Sequence, residues 1–293
     1  MAKQNISEAL KAFDRKYAAT RLPADIAAKF ANEITMYSQQ IEKALSKDES
    51  EENIKNIINK FLEQTFYPTP EYTVNTHNNI DSAIVRDDKL LVLIETKRPA
   101  NKNEMITESN INRKALWELV YYYLLSTRDS SGKKVKRIPN IEIRRLVITD
   151  SQSWAIFDAN DIEKICDGYL ENHFYRYANS QLHYSNDLKK FYKDIETYLS
   201  KIDVNQSLKF VFFDFTKIIK TKIGRQQLFK ILSHEYLLKE KSRQSIQQHE
   251  LSSKFYKELS MNSSTSELRA SGIAAAYSFS TRRWFSILML SYL

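Results

Sequence analysis

Residues 90–99, LLVLIETKRP, constrain this chain more than any other stretch. An unbroken apolar run gives way abruptly to Glu95, Thr96, Lys97 and Arg98, and Pro99 closes it. A run this short, entered from Asp87 and Asp88, reads as a buried strand over residues 90–96. Side chains alternate along a strand, so Glu95 and Lys97 share one face. Charges at the end of a buried strand need partners, and the rest of the sequence must supply them.

The flanking segments set the context. Residues 6–45 read as helical with a break at Leu22-Pro23, after which Asp25 can cap a new helix. Residues 50–65 carry Ile54, Ile57, Ile58, Phe61 and Leu62 at helical spacing, and Pro68 and Pro70 end that helix. Short strands follow over 71–76, 79–85 and 90–96, with turn residues between them. A helix over 111–126 and two more strands, 141–149 and 154–157, complete an order of helix, three strands, helix, two strands. Helical patterning returns over 160–200 and 224–260, whereas 208–215, LKFVFFDF, fits a strand or a buried helix equally. The expected class is α/β, a mixed sheet flanked by helices with further helical segments at both ends.

The strand before LLVLIETKRP contains Asp81. With the connecting loop centred on Asp88, antiparallel pairing sets Asp81 opposite Glu95 on the same face, their Cβ atoms roughly 5 Å apart. A slip of one residue would break this arrangement. Two carboxylates so placed repel unless something positive lies between them. Mg²⁺ suits them, because it keeps several waters and takes one or two carboxylates. Such an ion lowers a water's pKa and offsets charge on a phosphate. Lys97 adds a compact point charge that can orient that water or meet the phosphate. The plainer reading of an isolated Glu-x-Lys is a surface ion pair; Asp81, in this element order, argues against it.

Composition narrows the alternatives. Four glycines form neither GxGxxG nor GxxxxGK[ST], which argues against Gly-rich phosphate loops. The single cysteine, Cys166, cannot form an internal disulfide, and the first residues lack an apolar signal core; both fit a cytoplasmic protein. No run approaches the roughly 20 apolar residues of a membrane span. The net charge of +8 favours a polyanionic partner such as DNA.

At these residues the sequence resembles a known family. "IDSAIV" followed by "VLIETKRP" is similar to the PD-(D/E)XK nuclease motif, with Ile80 in the place of the usual proline. Together with "SEENIKNIINKFL", "ETKRPANKNEMI", "INRKALWELVYYYL" and "RRLVITDSQSWAIFDA", it resembles the N-terminal nuclease region of Type IIG bifunctional restriction–modification enzymes. The resemblance is strongest over residues 45–170. It implies a PD-(D/E)XK core over 46–180, preceded by a helical segment 1–45 and followed by a mostly helical connector 181–260. Residues 261–293 form an atypical tail with a single acid, Glu267.

The resemblance also implies a Mg²⁺-dependent DNA endonuclease, with Mn²⁺ a plausible substitute. Asp81 and Glu95 would bind the metal, the Thr96 carbonyl would be a further ligand, and Lys97 would assist the attacking water. Many such folds add an acid from the first helix, for which Glu51 and Glu52 are candidates, although acids there also suit the helix dipole. Related nucleases carry Gln and Tyr four apart on the following helix. Glu118 and Tyr122 have that spacing here, with Lys114 one turn earlier, but the Gln is absent.

Lys133, Lys134, Lys136 and Arg137 form a basic run suited to phosphate contacts, as do lysines and arginines within 215–243. Arg98 faces away from Lys97 and can pair with DNA or an acid. Trp117 and Trp154 read as core residues, His77 as a loop residue, and Cys166 as a small buried residue. No methyltransferase signature is present: there is no NPPY-type tetrapeptide and no Gly-rich cofactor loop. The expected partners are double-stranded DNA, the methyltransferase and target-recognition regions of a longer enzyme, and a second copy for cutting both strands. Cleavage by this chain alone is expected to be weak or non-specific, or absent. Two alternatives stand beside this reading: a catalytically silent DNA-binding or interaction fragment on a nuclease fold, and a different PD-(D/E)XK repair nuclease.

Overall fold

The apolar segments pair into one seven-stranded mixed sheet, in the order β1-β7-β6-β5-β4-β3-β2. Its strands are β1 (Lys3–Gln4), β2 (Thr73–His77), β3 (Ile80–Arg86), β4 (Lys89–Thr96), β5 (Arg145–Thr149), β6 (Ser153–Asp158) and β7 (Phe210–Asp214). The helices are α1 (Ile6–Phe13), α2 (Arg15–Ala19), α3 (Ala24–Ser46), α4 (Glu51–Thr65), α5 (Lys114–Thr127), α6 (Ala159–Cys166), α7 (Tyr169–Ala178), α8 (Leu188–Lys201), α9 (Val204–Ser207), α10 (Phe215–Ile218), α11 (Lys222–Leu232) and α12 (His234–Leu237). The computed structural model describes residues 3–77, 80–128, 142–166, 168–181 and 187–239, which lie within one compact unit, Met1–Glu240.

Each face of the sheet carries a core. On one face, Ala83, Leu93, Leu146, Ile148, Ala155 and Phe157 pack with Leu116, Leu119, Val120 and Leu124 of α5 and with Phe191 and Ile195 of α8. On the other, Ile84, Val92, Ile94, Val147, Trp154 and Val211 pack with α3, α4 and α11. The α4 stripe works as its spacing predicts: Ile54, Ile58, Phe61 and Leu62 are buried and Ile57 is half-buried. Ser50 caps this helix, accepting the Asn53 N–H at 3.3 Å. Each fully buried Leu or Ile contributes about 1.5–3 kcal/mol to a core of this kind.

The β3–β4 hairpin achieves the expected register by an unexpected route. Its turn is two residues, Asp87 and Asp88, with φ of 50° and 58°, where a primed hairpin turn places them. A turn centred there would set Asp81 opposite Ile94. The ladder instead shifts between Val85↔Leu90 and Ile84↔Val92, so Leu91 is an extra residue on β4. Beyond this bulge Ser82 pairs with Ile94, and the same register places Asp81 opposite Glu95.

Other boundaries depart from the sequence reading. The first helical stretch breaks at Asp14 as well as near Pro23, because the Asp14 carboxylate caps α2 through the Lys16 and Tyr17 N–H groups. Strand β5 starts at Arg145, although Arg144 N–H already donates to the Leu91 carbonyl. Residues 210–214 resolve to strand β7, and β1, which sequence periodicity missed, pairs with it in parallel. The basic run Lys133, Lys134, Lys136 and Arg137, part of residues 224–260, and the tail 261–293 lie outside the described residues.

Candidate functional site

The site forms where β4 ends beside its parallel neighbour β5. The Lys97 N–H donates to the Thr149 carbonyl at 2.8 Å, carrying the ladder one residue past β4. Glu95 and Lys97 therefore keep strand alternation and both face α5. Both are buried, at 1% and 4% exposure. Asp81 is half-buried across the hairpin, and its Oδ2 accepts the Thr96 N–H at 3.2 Å. The three residues that sequence reading grouped thus converge.

A fourth member joins from α5. The Lys97 ammonium contacts the Glu95 carboxylate and lies 2.6 Å from Glu118 Oε2. The other Glu118 oxygen lies 3.8 Å from Lys114 Nζ, which is held at 3.0 Å by Glu104. Lys114 is therefore tied into this network on the Lys97 side of α5.

The electrostatics follow from burial. Desolvation pushes the Glu95 carboxyl well above the usual carboxylate range; Lys97 opposes that rise, while Asp81 and Glu118 add to it. Burial works against the Lys97 ammonium, but Glu95 and Glu118 outweigh it and raise its pKa. Lys97 is thus a firmly held cation, not a free base. The Tyr122 phenol is pushed up by burial and then by Glu95, Asp81 and Glu118. Tyr192 of α8 is pushed up by burial and then by Glu118. Both phenols stand within electrostatic reach of the carboxylates.

Of the two acids considered on α4, Glu51 reaches the end of β4: its Oε2 accepts the Arg98 N–H at 3.1 Å. Glu52 instead pairs with Lys55 on its own helix. Arg98 takes the opposite direction from Lys97 and pairs with Asp48. Glu118 was visible in the sequence only as a residue at motif spacing, and its charge contact with Lys97 was not foreseen. Tyr192 carried no sequence signal beyond its place on an amphipathic helix. Trp154 is buried and stacked on Phe213, and Cys166 is buried. Trp117 is half-buried and donates to Asn112 Oδ1 at 2.7 Å.

No group of three or more His, Cys, Asp or Glu residues arranged to hold a metal occurs among the described residues. The donor set is two facing carboxylates, which suits an ion that keeps most of its water. One observation favours such an ion: Glu95 Oε2 is buried without a hydrogen-bond partner, as is Glu118 Oε2, whose contact with Lys97 is one of charge. The residues present fit Mg²⁺ on that ground. Two surface grooves lie elsewhere, one of about 340 Å³ between α3 and α4 and one of about 470 Å³ lined by Arg21, Leu22 and Lys222. Neither is lined by a residue of the carboxylate cluster. No helix among the described residues is long and apolar enough to cross a membrane.

No curated protein and no solved structure matches this chain. A family model described as "Domain of unknown function (DUF7149)" matches residues 7–245, which include Asp81, Glu95, Lys97 and Glu118. The chain belongs to the DUF7149 family.

Proposed function

We propose that this chain is a Mg²⁺-dependent DNA endonuclease domain of the PD-(D/E)XK type, resembling the front of a Type IIG restriction–modification enzyme. One observation carries the reading: the register that pairs Ser82 with Ile94 leads to Asp81 and Glu95, Asp81 accepts the Thr96 N–H, and Lys97 contacts the Glu95 carboxylate at the same strand end. The net positive charge and the unpartnered Glu95 oxygen support it.

In this reading Asp81, Glu95 and the Thr96 carbonyl hold the ion. Bound there, Mg²⁺ supplies a more acidic water and offsets charge on the phosphate. The chain's own residues do the rest. Asp81 and Glu95 present carboxyl oxygens from two neighbouring strands, so no rearrangement of the backbone is needed. Lys97 keeps its proton and orients the water or meets a phosphate oxygen. Hydrolysis forms one P–O bond to the water oxygen and breaks one to the leaving oxygen, which takes up a proton. Lys114 and the basic run Lys133, Lys134, Lys136 and Arg137 would contact DNA phosphates without reading sequence. Target recognition and methylation would belong to other regions of such an enzyme, and cutting both strands would need a second copy.

A second reading is favoured by the contact of Lys97 with two carboxylates. A lysine so engaged fits a catalytically silent DNA-binding module on the same fold. Incubation of supercoiled plasmid with the full chain separates the two. Metal-dependent nicking that Asp81→Asn and Glu95→Gln abolish supports the nuclease; DNA binding without cleavage in Mg²⁺ or Mn²⁺ supports the silent module.

A further inference from the structure

The Lys97 ammonium sits between Glu95, on its own strand, and Glu118, on the helix across from it. It commits one Glu95 oxygen and leaves Oε2 without a partner. A divalent cation taken up by Asp81 and Glu95 would share the Glu95 carboxylate with this ammonium, and like charges so close repel. Glu118 offers the ammonium another anchor. Its two oxygens are divided, one toward Lys114 and the other toward Lys97. Lys114 is also held by Glu104, which leaves Glu118 Oε2 for Lys97.

We propose that Lys97 is a resident cation guarding the metal position, and that Glu118 is the positioning residue that retains it when a divalent cation takes Glu95. The inference rests on the metal-site reading above and adds to it a competition between an internal and an external cation. A neutral side chain at position 118 would leave Lys97 to Glu95 alone and make the ion's entry harder. Removing the ammonium would make entry easier.

The test is Mn²⁺ binding to the full chain without DNA, read from the loss of the free-ion paramagnetic resonance signal. Thermal unfolding without metal confirms that each variant is folded. Lys97→Met should bind about tenfold tighter than the wild type and Glu118→Gln about tenfold weaker, within the usual range of coupling between sites. Glu118→Asp should recover most of the loss. The decisive comparison is the double variant. If Glu118 acts through Lys97, Glu118→Gln has a much smaller effect in the Lys97→Met background. An equal effect in both backgrounds overturns the inference, because Glu118 would then act only through its own field. Should Lys97→Met not fold, the Glu118 pair decides: loss with Gln and recovery with Asp support the inference, and unchanged affinity in both overturns it. Wild-type binding that no variant alters refutes the guard alone. No binding by the wild type or any variant refutes the metal site as well.

Discussion

Lys97 Nζ lies 2.6 Å from Glu118 Oε2, so the strand carrying the candidate site is locked by charge to the helix that covers it. Both side chains are largely removed from water. Removing one partner of such a pair leaves the other desolvated. Because Lys97 keeps Glu95, the loss is smaller than for an isolated buried pair. Glu118→Gln should lower stability by about 1–3 kcal/mol, the cost of leaving a buried polar group unsatisfied. Urea unfolding followed by far-ultraviolet circular dichroism measures it; stability equal to wild type would show that the contact is not maintained in solution.

The hairpin turn offers a gain instead of a loss. Asp87 and Asp88 both occupy left-handed backbone, which asparagine and glycine adopt more readily in a two-residue hairpin. Replacing the pair by Asn-Gly should raise stability by about 0.5–1 kcal/mol, since the left-handed cost at these positions falls. The site should be unaffected, because the register beyond Leu91 is set by the bulge. A destabilised Asn-Gly variant would contradict the turn assignment.

Buried tyrosines predict a sensitivity to alkali. Burial raises the pKa of Tyr37 and Tyr67 well above 10, with Asp150 adding to the first and Tyr72 and Tyr17 to the second. Tyr17 is pushed up to about 12 by burial, which Ser233 opposes and Glu235 reinforces. Their neutral forms are favoured in the fold, so their stabilising contribution is complete below the unfolded value near 10 and is lost as pH rises through the folded values. Stability should fall steeply from about pH 10 to 12, with tyrosinate absorbance appearing as the fold is lost. Tyr67→Phe removes a 2.7 Å bond to the Leu232 carbonyl and should cost about 1–2 kcal/mol at neutral pH. It should also flatten the alkaline loss. Tyrosinate absorbance developing fully while the fold persists would show that these hydroxyls are not buried.

Much of the fold was legible because local rules and burial agree in it. The α4 stripe and the apolar run of β4 each predicted their element. The Asp81–Glu95 alignment was predicted from a loop centred on Asp88, but two features that no periodicity reports set the register leading to it: a tighter turn and an extra residue at Leu91. Strand β1 has two residues, too few to show alternation, and exists because β7 offers an edge. Segment 208–215 stayed ambiguous because it is apolar at almost every position, and a strand and a buried helix look alike under that pattern. Glu118 lies on a helix that is apolar around most of its surface, so its direction could not be read before α5 was set against the sheet. Tyr192 comes from a distant segment, and only tertiary packing of α8 on α5 brings it near Glu118.

The most direct test of the central claim is cleavage of supercoiled plasmid by the full chain in Mg²⁺, set against EDTA and against Lys97→Ala. The account predicts nicking or linearisation that requires the metal, disappears in Lys97→Ala, and spreads over many positions on the plasmid. DNA left intact by a folded wild-type chain in both Mg²⁺ and Mn²⁺ would contradict it, as would cleavage that survives EDTA or the loss of Lys97.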